Sequence, residues 1–234
     1  MEIVWRWSKQ ILSSATLSVK INDDHGWNKI KKELDVLNRY QVVIGFWGND
    51  KLLEIVTVLE YGATIRAKNY DWLFIPSKND DLGDDGLPMS TSEWRAKHPD
   101  KPLFQAGHVL AIKDKSSPNG MKIIFYLVKQ VKIPSRPFLR NSLIENEKKY
   151  ERLVKVGVER IIDGQATGKG LLDLLGHTAA SDIRRTMRLF FKPGNAPLTI
   201  DNKGFNNPLI GRHAGGQGGA LINKVTYKII PKEG

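Results

Sequence analysis

The sequence has no cysteine among its 234 residues. That absence excludes disulfides, thiolate metal sites and cysteine nucleophiles, and it fits a reducing compartment. Long apolar runs are also missing, because no stretch approaches the roughly 18–20 apolar residues that a membrane span needs. The N-terminal segment carries Arg6 and Lys9 within its apolar part, which argues against a signal peptide. We therefore expect a soluble protein with no membrane partner.

Motifs of catalysis and metal binding are absent as well. There is no G-x-S-x-G nucleophile elbow and no H-E-x-x-H pair, and the five histidines are scattered. GQATGKG (164–170) has three residues before its Gly-Lys where a phosphate-binding loop needs four, so it predicts a turn between two helices. DDLGDDG (80–86) lacks the alternating ligands and the twelfth-position Glu of a calcium loop. We expect no enzyme, no metal and no cofactor; a hydrolase site in the acidic loop 79–102 is a minor alternative.

The positive charge is the most unusual bulk property, at +11 by formal count. The densest basic segment is DIRRTMRLFFK (182–192), which could contact phosphates or could place cations at a helix C-terminus. No zinc-finger, homeodomain or RNA-recognition signature accompanies it. A basic nucleic-acid-binding protein is therefore the alternative function.

The order of patterns predicts an α+β fold with mainly antiparallel pairing. HVLAIK (108–113) and MKIIFYLVKQVKI (121–133) flank a Pro-Asn-Gly turn, which predicts a long hairpin packed against two or more helices. Apolar spacing predicts helices over 139–161 and 170–190. LLEIVTVLEYG (52–62) fits a strand or a helix, and Gly62 after its last apolar positions favours a short helix. We expect a single domain over 1–234, with an N-terminal strand extension (1–16), long surface loops and a loop insertion (79–102).

The junction IPSRPFLR (133–140) lies between the hairpin and a long helix. Pro134 ends the ladder by removing a donor, and Pro137 suits the first turn of the helix. Phe138 and Leu139 can attach that helix to the sheet. Arg136 and Arg140 have no role in this structural interpretation.

Several stretches, in the same order, resemble the tail-completion and neck (virion morphogenesis, head–tail joining) proteins of tailed bacteriophages. VVIGFW (42–47) followed by EIVTVLEYGATI (54–65) matches a strand and a short helix that ends at Glu-x-Gly. IPSRPFLR matches most specifically, and LLDLLGHTAASDIRRTM (171–187) matches a later helix with its Gly. APLTIDNKGFNNPLI (196–210) and the final strand match the end of the family, whose Asp-Thr-Gly is replaced here by Gly211, Arg212 and His213.

The resemblance implies a structural virion protein without catalytic activity. Such a protein forms a homo-oligomeric ring, commonly a hexamer, at the neck or tail top, as a tail terminator or a neighbouring completion factor. Its partners would be the tail tube protein, the head–tail connector proteins and non-specific DNA in the channel. It would be made in the host bacterial cytoplasm and reside in the virion. The candidate assembly-interface residues are Glu60, Gly62, Arg136, Phe138, Arg140, Arg184, Arg185, Arg212 and His213.

Overall fold

The computed structural model describes residues 3–6, 26–48, 50–83, 88–210 and 220–232. It contains helices and antiparallel sheets, which confirms the predicted α+β class. The chain divides into two compact units: Met1–Glu60, Pro137–Phe190 and Ala220–Gly234 form the first, and Tyr61–Arg136 and Phe191–Gly219 form the second. Whether they fold together as the single domain expected over 1–234 stays a prediction.

The first unit has a three-stranded antiparallel sheet. Its strands, in spatial order, are β1 (Ile3–Arg6), β2 (Tyr40–Phe46) and β9 (Val225–Pro231). Every residue of β2 after Tyr40 is buried, because its apolar run QVVIGF occupies the central position. Strand β1 lies within the predicted N-terminal strand extension (1–16), and the remainder of 1–16 lies outside the described residues.

Five helices accompany this sheet: α1 (Trp27–Arg39), α2 (Asp50–Tyr61), α4 (Phe138–Ile162), α5 (Gly168–Arg188) and α7 (Ala220–Asn223). Helix α5 packs against β2, β9, α1 and α4. It buries a stripe at helical spacing, formed by Leu172, Leu175, Ala179, Ile183 and Met187. The predicted turn between α4 and α5 is confirmed, and the hydroxyl of Thr167 accepts from Gly170 N at 3.1 Å to cap α5.

A cluster of three polar side chains links α4 to α5. Lys149 Nζ lies 2.7 Å from both carboxylate oxygens of Asp182, and the Tyr150 hydroxyl donates to Asp182 Oδ2 at 3.1 Å. Burial and the negative charge of Asp182 raise the pKa of Tyr150. The phenol therefore stays a donor and fixes the register of the two helices.

The second unit has two antiparallel sheets. One pairs β3 (Ala63–Arg66) with β8 (Gln130–Ile133), and the other has the order β4 (Leu73–Pro76), β7 (Met121–Val128), β6 (Val109–Lys113) and β5 (Phe104–Ala106). Its helices are α3 (Thr91–Lys97) and α6 (Pro197–Lys203). The antiparallel pairing of β6 with β7 agrees with the predicted strand pair, with a register shift at Leu110 and Ala111. The packing of a long hairpin against two or more helices is not confirmed.

The prediction of a surface loop over 79–102 is wrong for part of that segment. Ser90 and Glu93 form a reciprocal capping box, which starts α3. Trp94 of α3 is 3% exposed and packs in a core cluster with Leu110, Ile112, Ile124, Phe125 and Leu127. The amino-acid composition of this segment does not indicate a helix, because one aromatic residue, rather than several aliphatic residues, forms its buried face.

Candidate functional site

The carboxylate of Glu60 lies at the N-terminus of α4 and is 1% exposed. Its Oε2 accepts from Leu139 N at 3.1 Å, and its Oε1 accepts from Arg140 N at 3.3 Å and from Arg140 Nε at 3.0 Å. A negative charge there satisfies otherwise unpaired N–H groups and complements the helix dipole. Glu60 therefore acts as a cap within the first unit, and its predicted role in an assembly interface stays a prediction.

The backbone conformation and a close approach both require glycine at residue 62. Its φ is +78°, in the left-handed region that favours glycine. A Cβ at this position would lie 2.7 Å from Ser135 N and 2.9 Å from Ile133 O. These are backbone atoms and cannot move aside. Any side chain at residue 62 would therefore disrupt the close packing of residue 62 against the start of IPSRPFLR.

Phe138 is fully buried in the first unit, and its predicted place in an interface stays a prediction. Its ring meets that of Phe46 edge to face, with the centroids 6.1 Å apart. Phe46 ends β2, so this contact joins the first turn of α4 to the central strand of the sheet. The structural interpretation of the Phe-Leu pair is confirmed for Phe138, and Leu139 is 1% exposed.

The two arginines of IPSRPFLR both have partners within the chain. Arg136 is 6% exposed and donates from Nε to Pro193 O at 3.2 Å and from Nη2 to Gly194 O at 2.9 Å. Burial lowers the pKa of its guanidinium. The Arg140 side chain is 35% exposed and, besides its bonds to the Glu60 carboxylate, donates from Nη2 to Glu60 O at 3.2 Å. Of the two, only Arg140 presents substantial surface.

The remaining candidates differ in accessibility. Arg184 donates from Nη2 to Val225 O at 2.7 Å and so connects α5 to β9. Arg185 is exposed in the last turn of α5, as is Arg188. Arg212 and His213 lie outside the described residues. Among the arginines of the basic segment 182–192, Arg184 thus makes an internal contact, while Arg185 and Arg188 are exposed at a helix C-terminus, where the dipole favours cations.

A close contact at Gly176 was not predicted. A Cβ there would lie 2.2 Å from Cδ2 of Tyr227, so α5 and β9 can approach only because residue 176 is glycine. The Tyr227 hydroxyl donates to Asp173 Oδ1 at 3.2 Å, and the ring lies 4.9 Å from that of His177. Both Gly176 and Tyr227 fall in stretches that resemble the phage family, but nothing in the sequence shows that the two stretches meet.

The acidic loop places one carboxyl in an unusual environment. Asp80 is 6% exposed, and neither of its oxygens has a donor in good hydrogen-bonding geometry within the described part of the chain, although the nearby backbone N–H groups of Met89 and Asp81 partly oppose the rise in its pKa. Burial, followed by the neighbouring charge of Asp81, raises its pKa to about 7. Asp81 in turn lies 2.9 Å from His98 Nε2. A carboxyl with such a pKa can act as a general acid, but burial keeps a substrate away from Asp80 in this conformation.

Among residues 26–48, 50–83, 88–210 and 220–232, no three His, Asp or Glu side chains are arranged to hold a metal ion. No helix in the described part of the chain is both long and apolar enough to cross a membrane. Comparisons with protein-family models, with curated proteins and with solved structures found no match to this chain.

Proposed function

We propose that this chain is a structural virion protein of a tailed bacteriophage, acting in tail completion or head–tail joining at the neck. One observation supports the proposal: the separated stretches that resemble the family meet within each unit. Glu60 caps the helix that follows IPSRPFLR, and Gly62 packs on the start of that motif. Gly176 likewise receives the ring of Tyr227.

These contacts explain why the resemblance lies in those residue types. Glycine is needed at 62 and 176 because backbone or a ring occupies the space of a Cβ, and an acid is needed at 60 because a helix begins there. The shared pattern therefore describes a packing arrangement, and not a set of surface residues. This supports a fold shared with the neck proteins rather than a chance match of short sequence motifs.

A ring subunit needs two different surfaces that repeat around an axis. In the described part of the chain β9 pairs with β2 along one edge and with no strand along the other, and β4 and β5 are the outer strands of their sheet. Open edges of this kind can receive a strand from a neighbouring subunit. Among the sequence candidates, Arg185 is exposed on the surface where such contacts would form.

The proposed partners are further copies of this chain in a ring, commonly a hexamer, together with the tail tube protein and the head–tail connector proteins. DNA passing through the channel would be a non-specific partner of the +11 charge. The proposed location is the neck or tail top of the virion, after synthesis in the host cytoplasm.

The test is a phage whose gene for this protein is deleted, imaged by negative stain. We expect unattached heads and tails, or tails of abnormal length, and restoration by the wild-type gene. Native mass spectrometry of the purified protein, alone and with tail tube protein, should show a closed oligomer. Normal infectious particles from the deletion would overturn the proposal.

Nucleic-acid binding is the second candidate, favoured by the exposed Arg185 and Arg188 at the end of α5. A DNA titration at increasing salt separates the two functions. Binding that persists at physiological ionic strength supports a nucleic-acid role, whereas loss above about 0.1–0.2 M salt indicates incidental charge.

A further inference from the structure

Two aromatic rings are exposed where β4, an outer strand of the second unit, begins. Tyr70 is 73% exposed, more than any other large apolar side chain in the described part of the chain, and Phe74 of β4 is 36% exposed. Their rings meet edge to face, with the centroids 6.1 Å apart. Among the described residues β4 pairs with β7 alone, so the ring pair lies at an open edge of its sheet. Exposed apolar surface of this kind marks a candidate contact with a ligand.

A third ring connects this pair to positive charge. Trp72 lies between Tyr70 and Phe74 in the sequence and packs, partly buried, against the core cluster that contains Trp94. Lys129 Nζ lies 5.5 Å from the centre of the Trp72 ring, within the range of a cation–π contact. The core thus holds Trp72 in place, and Lys129 brings an ammonium group to the segment that carries the exposed rings.

Further cations lie on the adjoining two-stranded sheet. Ala67 N donates to Lys129 O at 3.4 Å, so the pairing of β3 with β8 leads directly into the aromatic segment. Arg66 of β3 pairs with Gln130, and Lys132 lies two residues further along β8. The side chains of Arg66 and Lys132 therefore share one face, about 7–8 Å apart on the diagonal. Both side chains are exposed.

The charges of this surface are mostly positive. Segments 63–76 and 126–133 contain four cations and one acid, and all five side chains are exposed. The cations are Arg66, Lys68, Lys129 and Lys132, and the acid is Asp71. Lys132 is five residues along the chain from the residue that pairs with Phe74, which is about 17 Å at most. Cations and exposed rings thus lie close enough together for one short ligand to contact both.

We propose that Tyr70 and Phe74, together with these four cations, form a binding surface for single-stranded nucleic acid. Proteins that hold single strands without sequence preference combine cations along the phosphates with aromatic rings on which bases stack. Charge complementarity alone would also suit a duplex or an acidic protein. A duplex keeps its bases stacked inside, however, and an acidic protein surface would leave the flat rings without a stacking partner. The single strand is the polyanion that uses both features.

This inference goes beyond the proposed virion function and rests neither on that function nor on the arginines of α5. Its test uses the full chain, a fluorescein-labelled oligothymidine of about 15 nucleotides and a duplex of the same length. Fluorescence anisotropy at several salt concentrations gives the affinity for each. We expect the wild type to bind the single strand more tightly than the duplex.

Two substitutions separate stacking from charge. Tyr70→Ala should weaken single-strand binding by about fivefold or more, the effect of losing one stacked base, and should leave duplex binding unchanged. Lys132→Gln should instead lower the slope of log affinity against log salt by about 0.7, the contribution of one phosphate contact. Because Tyr70 and Lys132 are exposed, both variants should keep the circular dichroism spectrum and unfolding midpoint of the wild type.

The basic segment 182–192 supplies matched controls. Phe191→Ala removes another exposed ring, and Arg185→Gln removes another exposed charge. Each should reduce single-strand affinity far less than its counterpart on the proposed surface. Losses caused by these two variants and not by Tyr70→Ala would place binding on segment 182–192 and overturn the proposal. Equal weakening of single-strand and duplex binding by Tyr70→Ala, or no oligonucleotide binding by the wild type, would overturn it as well.

Discussion

Arg140 donates from Nε to Oε1 of Glu60 at 3.0 Å, although the two residues lie 80 positions apart in the sequence. The same carboxylate accepts the first free N–H groups of α4, so one buried acid both caps a helix and neutralises an arginine. This relationship joins the end of α2 to the beginning of α4 within the first unit. Its removal therefore gives the most direct measure of what holds the IPSRPFLR junction in place.

We expect Glu60→Ala to lower the free energy of unfolding by about 3 kcal/mol. The substitution leaves two N–H groups without their acceptor, at about 1–3 kcal/mol for each buried one, and removes the carboxylate from Arg140, whose Nη2 still donates to the backbone oxygen of residue 60. Urea unfolding followed by circular dichroism provides the measurement. Glu54→Ala is the control, since Glu54 is exposed on the same helix and its loss should change stability by about 0.5 kcal/mol at most. Equal effects of the two substitutions would show that the cap is unimportant.

Gly62→Ala should destabilise the chain by more than Gly107→Ala. Both glycines have positive φ, at +78° and +61°, so each alanine bears the left-handed penalty of about 1–2 kcal/mol. Only at Gly62 would the new Cβ also meet backbone at 2.7 Å, whereas Gly107 has no atom within 4 Å of that position. The difference in thermal midpoint between the two variants isolates the steric contribution. A midpoint for Gly62→Ala at or above that of Gly107→Ala would contradict the contact.

Gly176→Ala should lower stability even though alanine is the better helix former. Helix propensity alone would stabilise α5 by about 0.5–1 kcal/mol, but overpacking against the Tyr227 ring opposes it by about 1–3 kcal/mol. Removing the Tyr227 ring should reverse the sign of the stability change that Gly176→Ala causes. In the Tyr227→Ala background, Gly176→Ala should be neutral or stabilising, and a double-mutant cycle measured by chemical unfolding checks this. Additive effects would mean that the two residues do not interact.

Sequence patterns predicted the parts of this fold that depend on local periodicity. The stripe on α5, the buried strand β2 and the turn before Thr167 all follow from spacing or from cap chemistry. Helix α3 was missed because its signals are a capping box and a single tryptophan, which composition does not reveal. Local sequence patterns could assign each helix or strand, but they could not show which other elements pack against it in the folded chain.

The candidate interface residues show the same limit. Arg136 and Arg140 have no structural role in the sequence interpretation because their partners, the carbonyls of Pro193 and Gly194 and the carboxylate of Glu60, are distant in sequence. A single sequence contains no information on which distant residues pair, so these contacts within the chain could not be predicted. Phe138 was correctly given a structural alternative because its position at the start of an amphipathic helix is a local signal.

Asp80 predicts a pH dependence of stability. Its pKa in the folded chain, about 7, lies above the ordinary value of 3.8, so the folded state holds its proton more tightly than the unfolded state does. The stabilisation linked to this proton is fully present below pH 3.8 and is lost as the pH rises to about 7. The largest slope one such group can produce is about 1.4 kcal/mol per pH unit.

We therefore expect Asp80→Asn to remove this slope and to make the chain more stable than the wild type above neutral pH. The amide keeps the shape of the protonated carboxyl but cannot ionise beside Asp81 and Glu93, whose charges oppose ionisation of Asp80. Urea unfolding at several pH values between about 5 and 8 measures the difference between the two proteins. Asp114→Asn is the control: hydrogen bonds from Ser116 and Ser117 lower the pKa of Asp114 to about 2, so its contribution to stability should not vary between about pH 5 and 8 and should be lost only in more acidic solution. Parallel pH profiles for the wild type and Asp80→Asn would show that the buried carboxyl does not retain its proton, and that water or a cation satisfies its two oxygens instead.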